Sequence, residues 1–179
     1  MAFAIELFFD CASTSQIMDT WTNLSEQGTG SYLIDSGSQP HITLAVFNTL
    51  DVNNISSYLN QVSQDMGVFS LHLNSVGTFL TDEGTVFLAP VVTEKLLYIH
   101  RIIHELTNEY DEKKWDYYLP GKWVPHCTMA TNNSKEFGIK ALEIIKERFR
   151  PMDVIIERIG LVEFRPIKKH SEFTLSNHN

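Results

Sequence analysis

Two segments of the chain repeat each other at a distance of 85 residues. Pro40-His41-Ile42-Thr43-Leu44 and Pro125-His126-Cys127-Thr128-Met129 place Pro, His and Thr in the same register, and Ala45 and Asn48 coincide with Ala130 and Asn133. Farther on, Ser75-Val76-Gly77 lies over Arg158-Ile159-Gly160 at an offset of 83. Each of those segments follows a helical pattern and an alternating strand. A repeat seen twice points to one duplicated β-α-β-β plan, not to an array of many units.

The spacing has a physical meaning. In a strand, residues i and i+2 share a face, so His41 and Thr43 look one way while Ile42 and Leu44 look the other. His126 and Thr128 share a face in the same manner, with Cys127 and Met129 behind it in the core. Helices cover the apolar side, so two related lobes brought together enclose one cleft holding two imidazoles and two hydroxyls. Around a tetrahedral phosphate, one neutral imidazole removes a proton and the opposite imidazolium protonates the departing oxygen. The hydroxyls donate to the non-bridging oxygens. The residues alone do not say which imidazole is the acid.

Periodicity fills in the elements. Strands are predicted over 3–9, around Tyr32 to Ile34, over 41–47, and over 69–80 with a turn at 81–84 into 85–92. Further strands are predicted over 124–130, 154–164 and 172–176, the last two flanking a basic loop from Arg165 to His170. Helices are predicted over 14–27, capped by Thr14 or Ser15, and over 51–66 and 93–110. A last helix over 134–149 is capped by Asn133 with Glu136. Residues 111–123 read as a polar, aromatic and basic loop. The result is a single α+β domain over 1–179, bilobal, with antiparallel sheets and outer helices around a central cleft. Its pseudo-repeat halves span about 1–92 and 93–179. With 179 residues, 43% of them hydrophobic, the chain has ample material for a core.

Charge narrows the partners. The net charge is −8, yet all 14 Lys and Arg lie at or after Lys95. Such a balance disfavours a broad nucleic-acid coating surface and favours a small nucleotide or an RNA end, with no DNA and no membrane partner. No apolar run is long enough to span a bilayer. Glu6 interrupts the first apolar stretch, so the start reads as a strand and not as a signal peptide. A cytoplasmic monomer is the simplest expectation. Cys11 and Cys127 make neither a disulfide framework nor a CxxC site.

Several histidines fall outside the repeat. His100 and His104 stand four apart on a helix without the glutamate placement of a zinc motif, and read as residues flanking the core or on the surface. His72 reads as solvent-facing and His170 as a loop residue.

The two Pro-His-x-Thr segments and the duplicated plan resemble the two-histidine (2H) phosphoesterase superfamily, whose RNA branch is called LigT-like or 2′-5′ RNA ligase-like. The resemblance covers essentially the whole chain. It implies a bilobal fold, chemistry without metal or other cofactor, and hydrolysis of 2′,3′-cyclic phosphates, leaving a 2′-phosphate, or of 2′-5′ linkages. It also implies His41 as the acid, His126 as the base, and Thr43 and Thr128 as phosphate holders. Many members carry a cation soon after the motif, whereas Ala45-Val46-Phe47 and Ala130-Thr131-Asn132 supply none here. Cations are therefore expected from Lys113, Lys114 and Lys122, or from Arg165, Lys168 and Lys169. Trp115, Tyr117, Tyr118 and Trp123 are candidates to stack a base. Two alternatives stand beside this reading. One is a nucleotide- or RNA-end-binding protein without turnover. The other is a metal-dependent hydrolase ligated by the two histidines, to which neither motif adds a carboxylate or thiolate on the histidine face.

Overall fold

The computed structural model describes residues 1–131 and 134–176. Among them the strands form one seven-stranded antiparallel sheet, ordered β2-β1-β6-β3-β4-β5, with β7 paired to β6. The elements in chain order begin with β1 (Ala2–Phe9), α1 (Cys11–Glu26), α2 (Tyr32–Asp35), β2 (His41–Phe47) and α3 (Val52–Asp65). There follow β3 (Phe69–Thr78), β4 (Val86–Pro90), α4 (Glu94–Leu106), β5 (Cys127–Ala130), α5 (Lys135–Arg148), β6 (Met152–Phe164) and β7 (Lys168–Thr174).

The thirteen-residue strand β6 joins the two ends of the sheet. Its first part, from Met152 to Ile156, pairs with β3. From Ile156 onward it pairs with β1 on the opposite edge, and β7 takes the edge that β3 has left. The sequence halves therefore exchange strands. β1 and β2 lie with β6 and β7, while β3 and β4 lie with β5. The cations of the second half are carried into the sheet of a first half that has none.

Local chemistry explains most boundaries. α1 begins at Cys11 and not at 14, because Asp10 at the end of β1 is the cap: its carboxylate accepts from the backbone N–H of Ala12 at 2.9 Å and Ser13 at 3.1 Å. Ile17, Trp21 and Leu24 bury one face, the apolar stripe that holds such a helix on a sheet. The strand expected around Tyr32 is instead a single helical turn. Gly30 at φ 111° and Gly37 at φ 72° reverse the chain on either side of it, and only Leu33 is buried. Local hydrogen bonding wins there over the β preference of Tyr and Ile.

α4 stops at Leu106, where the Thr107 hydroxyl caps the carbonyl of Ile103 at 2.6 Å. The stretch read as a loop over 111–123 holds the end of one short 3₁₀ turn, Asn108–Lys113, and all of a second, Asp116–Tyr118. Ser134 caps α5 by accepting from the Phe137 N–H. Asn133 lies outside the described residues, and Glu136, one position short of the third helical residue, does not complete a capping box. His170 lies in β7, not in a loop, with Nε2 2.8 Å from Glu163.

Candidate functional site

β2 and β5 are the outer strands of the sheet path, and the sheet curves until they meet. The backbone of His41 reaches the buried Cys127 thiol, and burial pushes that thiol up to about 12. Cys127 is thus an inert core residue, as its place behind His126 predicts. His41 opens β2, and His126 lies immediately before β5. The two Pro-His-x-Thr segments are thereby brought together although no ladder joins them.

Each imidazole is fixed in the same way. His41 Nδ1 lies 2.6 Å from the carbonyl of Gln39, and His126 Nδ1 lies 2.6 Å from that of Val124. A carbonyl only accepts, so Nδ1 carries the proton and Nε2 is the nitrogen left free of that bond. Each threonine is anchored by an indole. Trp123 Nε1 donates to the carbonyl of Thr43 at 3.0 Å, and Trp21 Nε1 donates to that of Thr128 at 3.2 Å. These bonds satisfy backbone groups that an outer strand would otherwise leave open.

An aromatic ring from the neighbouring strand backs each histidine. Phe8 of β1 packs edge-on to His41 at 6.3 Å between centroids, and Phe87 of β4 lies 5.3 Å from His126. The repeated glycines make room for these rings. A Cβ on Gly77 would stand 2.7 Å from the Phe87 ring, and one on Gly160 would stand 3.0 Å from the Phe8 ring. Phe79 closes a third side of His126 at 4.9 Å. Burial among these rings lowers the pKa of His126, and the charge of nearby His41 lowers it further; the Val124 carbonyl opposes both.

The two sides differ in charge. Beside His41 stands Glu6, 7% exposed, with Oε1 3.4 Å from His41 Nε2. Arg158 and Lys169 both reach over the Phe8 ring at 5.6 Å. Glu172 holds them there, 3.0 Å from Arg158 and 2.7 Å from Lys169. Burial raises the Glu172 pKa, but hydrogen bonds and charge from those two cations outweigh it and leave it lowered. On the His126 side the position matching Arg158 is Ser75.

The expected binding residues divide. Trp123 is at the site, but as a brace: one ring face is stacked on His100 at 4.0 Å. Lys169 is there as well, whereas Lys114 is buried and bonded to the carbonyl of His104 and to Asp111. Lys113 sits by Asn48, past the far end of β2 from His41. Lys122 is paired with Asp116 on the surface. Tyr117 is 79% exposed and has no stacking partner among the described residues. Arg165 lies in the β6–β7 turn and Lys168 opens β7, at the end of the sheet where Phe164 pairs with Ala2. That level is roughly 20 Å along β1 from Phe8 at 3.3 Å per residue.

Glu6, Phe8, Phe79, Phe87, Arg158 and Glu172 were not among the expected site residues. The available signals were a lone charge within an apolar strand at Glu6 and a cation replacing serine in the repeat at Arg158. Among the described residues no group of three or more His, Cys, Asp or Glu is placed to hold a metal ion. His100 and His104 are core residues; Nε2 of each faces a backbone carbonyl, Tyr118 at 2.8 Å and Leu44 at 3.3 Å. His72 meets solvent beside Asp153.

This geometry fixes two imidazoles alike and anchors the backbone of two threonines on the facing outer strands of a curved antiparallel sheet, the arrangement expected of a two-histidine phosphoesterase. The chain belongs to the 2′-5′ RNA ligase superfamily, which it matches over residues 16–166. In fold it is similar to TT0787 of Thermus thermophilus, with a TM-score of 0.66, 15% identity and 100% of both chains covered. It is similar also to E. coli LigT complexed with 3′-AMP, at a TM-score of 0.62 and 12% identity over 97% of each chain. The apo form of LigT gives a TM-score of 0.61 at 12% identity, covering 98% of this chain and 97% of that one. No curated protein sequence matches the chain. No helix among the described residues is long and apolar enough to cross a membrane.

Proposed function

We propose that the protein is a phosphodiesterase that hydrolyses the 2′,3′-cyclic phosphate, or a 2′-5′ phosphodiester, of a small nucleotide or an RNA end. The observation that carries this reading is the matched pair of 2.6 Å contacts fixing Nδ1 of His41 and His126. Both catalytic nitrogens are thereby oriented before substrate arrives, which is what general acid–base catalysis requires.

In the hydrolysis of a cyclic phosphate, His126 Nε2 takes a proton from water as the water oxygen bonds to phosphorus. His41 gives a proton to the ribose oxygen as its bond to phosphorus breaks. The lowered pKa of His126 keeps it neutral near pH 7, the state a base needs. Thr43 and Thr128 donate to the non-bridging oxygens, where charge accumulates. Arg158 and Lys169 make the His41 side the better seat for anionic substrate. LigT, whose fold is similar, has been crystallised with 3′-AMP and with ATP, which supports a nucleotide of similar size here.

The test is incubation with each of the four 2′,3′-cyclic nucleotides and a 2′-5′ linked dinucleotide in excess EDTA. Turnover of one of them that EDTA does not suppress supports the reading. Turnover restored only by added metal overturns it in favour of a metal-dependent hydrolase. Saturable binding with no turnover overturns it in favour of a binding protein.

A further inference from the structure

We propose that Glu6 is a positioning residue that keeps one proton on the His41 side of the cleft and so makes the two imidazoles unequal. The proposal rests on the acid–base reading above and deepens it. Glu6 is the only charged residue of β1, and it shares the cleft face with Phe8, two residues on. Its cross-strand partners are Thr43 and Gly160. Burying a carboxyl in an apolar strand is costly, so its place calls for a compensating contact, and that contact is the reactive nitrogen of His41 at 3.4 Å.

His41 Nδ1 is committed to Gln39, so Nε2 is its only nitrogen free to gain or lose a proton. One proton between Glu6 Oε1 and His41 Nε2 makes either a carboxylic acid beside an imidazole or a carboxylate beside an imidazolium. In both states the proton lies at the one nitrogen of His41 that is free for proton transfer, or at the carboxyl beside it. The separation exceeds an ordinary hydrogen bond, so this proton is not locked and can turn to a leaving oxygen.

Among the described residues the His126 side has no equivalent carboxyl: the position matching Glu6 is Phe87, whose cross-strand partners are Thr128 and Gly77. Phe79 and Phe87 are what His126 meets. The other titratable groups around the pair act consistently. Burial raises the Glu6 pKa against the pull of His41 and Lys169. Glu172 answers one of the two positive charges of Lys169 and Arg158. The Tyr118 phenol, pushed up to about 12 by burial and by Glu6, stays protonated. The proton cycle closes: water gives one proton to His126, the Glu6–His41 pair gives one to the leaving oxygen, and exchange with solvent resets both.

The experiment compares wild type with Glu6→Gln, which keeps shape and removes charge. In the rate–pH profile for the cyclic nucleotide turned over, the alkaline limb is expected to move down by about one to two pH units, the effect of losing an adjacent opposite charge. The acid limb, set by His126, is expected to stay in place, and kcat is expected to fall more than KM rises. Superimposable profiles, or movement of the acid limb instead, overturn the proposal.

A second arm needs neither turnover nor a variant. In wild type labelled with ¹³C at Glu and ¹⁵N at His, the Glu6 carboxyl and His41 Nε2 are expected to titrate as a coupled pair with shared midpoints. Independent single-site titrations overturn the proposal even if the protein hydrolyses no nucleotide.

Discussion

Trp123 and Thr43 are joined by a bond that crosses between the sequence halves, indole N–H to backbone carbonyl at 3.0 Å. Among the described residues no strand lies beyond β2 on that edge, so the indole supplies the donor that a neighbouring strand would have supplied. The stack of Trp123 on His100, nearly parallel at 5°, sets the ring plane that aims it.

Trp123→Phe keeps the stack and deletes the donor. We expect a stability loss of about 1–3 kcal/mol, the cost of stranding a buried acceptor, and a fall in kcat with little change in KM. Urea melts and steady-state kinetics check both. A rise in KM with unchanged stability would instead mean that Trp123 stacks the substrate base.

Thr43→Ala and Thr128→Ala are expected to lower kcat by about 10²–10³ each, the range for losing one donor to a developing oxyanion. Their melting curves should stay near wild type, because the anchoring bonds use backbone carbonyls and not the hydroxyls. Thr→Ser at either position should recover most of the rate. A loss as complete as that of a histidine variant would assign the hydroxyl a part in proton transfer.

The two histidines of the candidate site were legible in the sequence because both lie in the Pro-His-x-Thr repeat. The surround of the site was not. Arg158 and Lys169 reach the Phe8 ring beside His41 only because β6 spans both ends of the sheet and carries second-half residues beside β1, and strand exchange leaves no mark on local periodicity. Lys113 and Arg165 sit near the motifs in composition, but the ladder register places them at the far ends of β2 and β1. Trp123 reads equally well as a stacking platform or a brace until its hydrogen bond is seen. The turn at Tyr32–Asp35 shows the same limit at small scale, since flanking glycines and not the propensity of Tyr and Ile decide it.

Gly77 and Gly160 admit the rings that back the two histidines. Gly160→Ala forces a Cβ to 2.7 Å from the Ser171 carbonyl and 3.0 Å from Phe8, whereas Gly77→Ala meets the Phe87 ring at 2.7 Å. Backbone yields less readily than a side chain, so Gly160→Ala is expected to be the more destabilising, within the roughly 1–3 kcal/mol of overpacking. Gly77→Ala is expected to disturb His126 through Phe87 and to lower kcat more than its stability cost suggests. Thermal melts with kinetics on both variants test the ordering.

His104 gives stability a pH dependence. Burial pulls it from 6.5 down to about 4, and the charges of His100 and Lys114 act in the same direction, against the carbonyls of Leu44 and Tyr118. Its Nδ1 is buried without a partner, which suits a lone pair and not an added proton. Below pH 6.5 the unfolded chain gains a proton that the folded one refuses until about pH 4. Stability is therefore full above pH 6.5 and falls between 6.5 and 4, by about 3 kcal/mol at the limit. His104→Gln, which can still donate to Leu44, should flatten the fall in urea midpoint between pH 7 and pH 4.5. An unchanged slope would place the acid sensitivity elsewhere.

The central claim is that His41 and His126 work as one unit. The most direct measurement is turnover of a single cyclic nucleotide by His41→Ala, His126→Ala and the double variant, each first shown to be folded by its melt. Groups that act together are not additive in their losses, so each single variant should fall as far as the double. A single variant that keeps substantial activity, or a double whose loss is the product of the two single losses, would contradict the account.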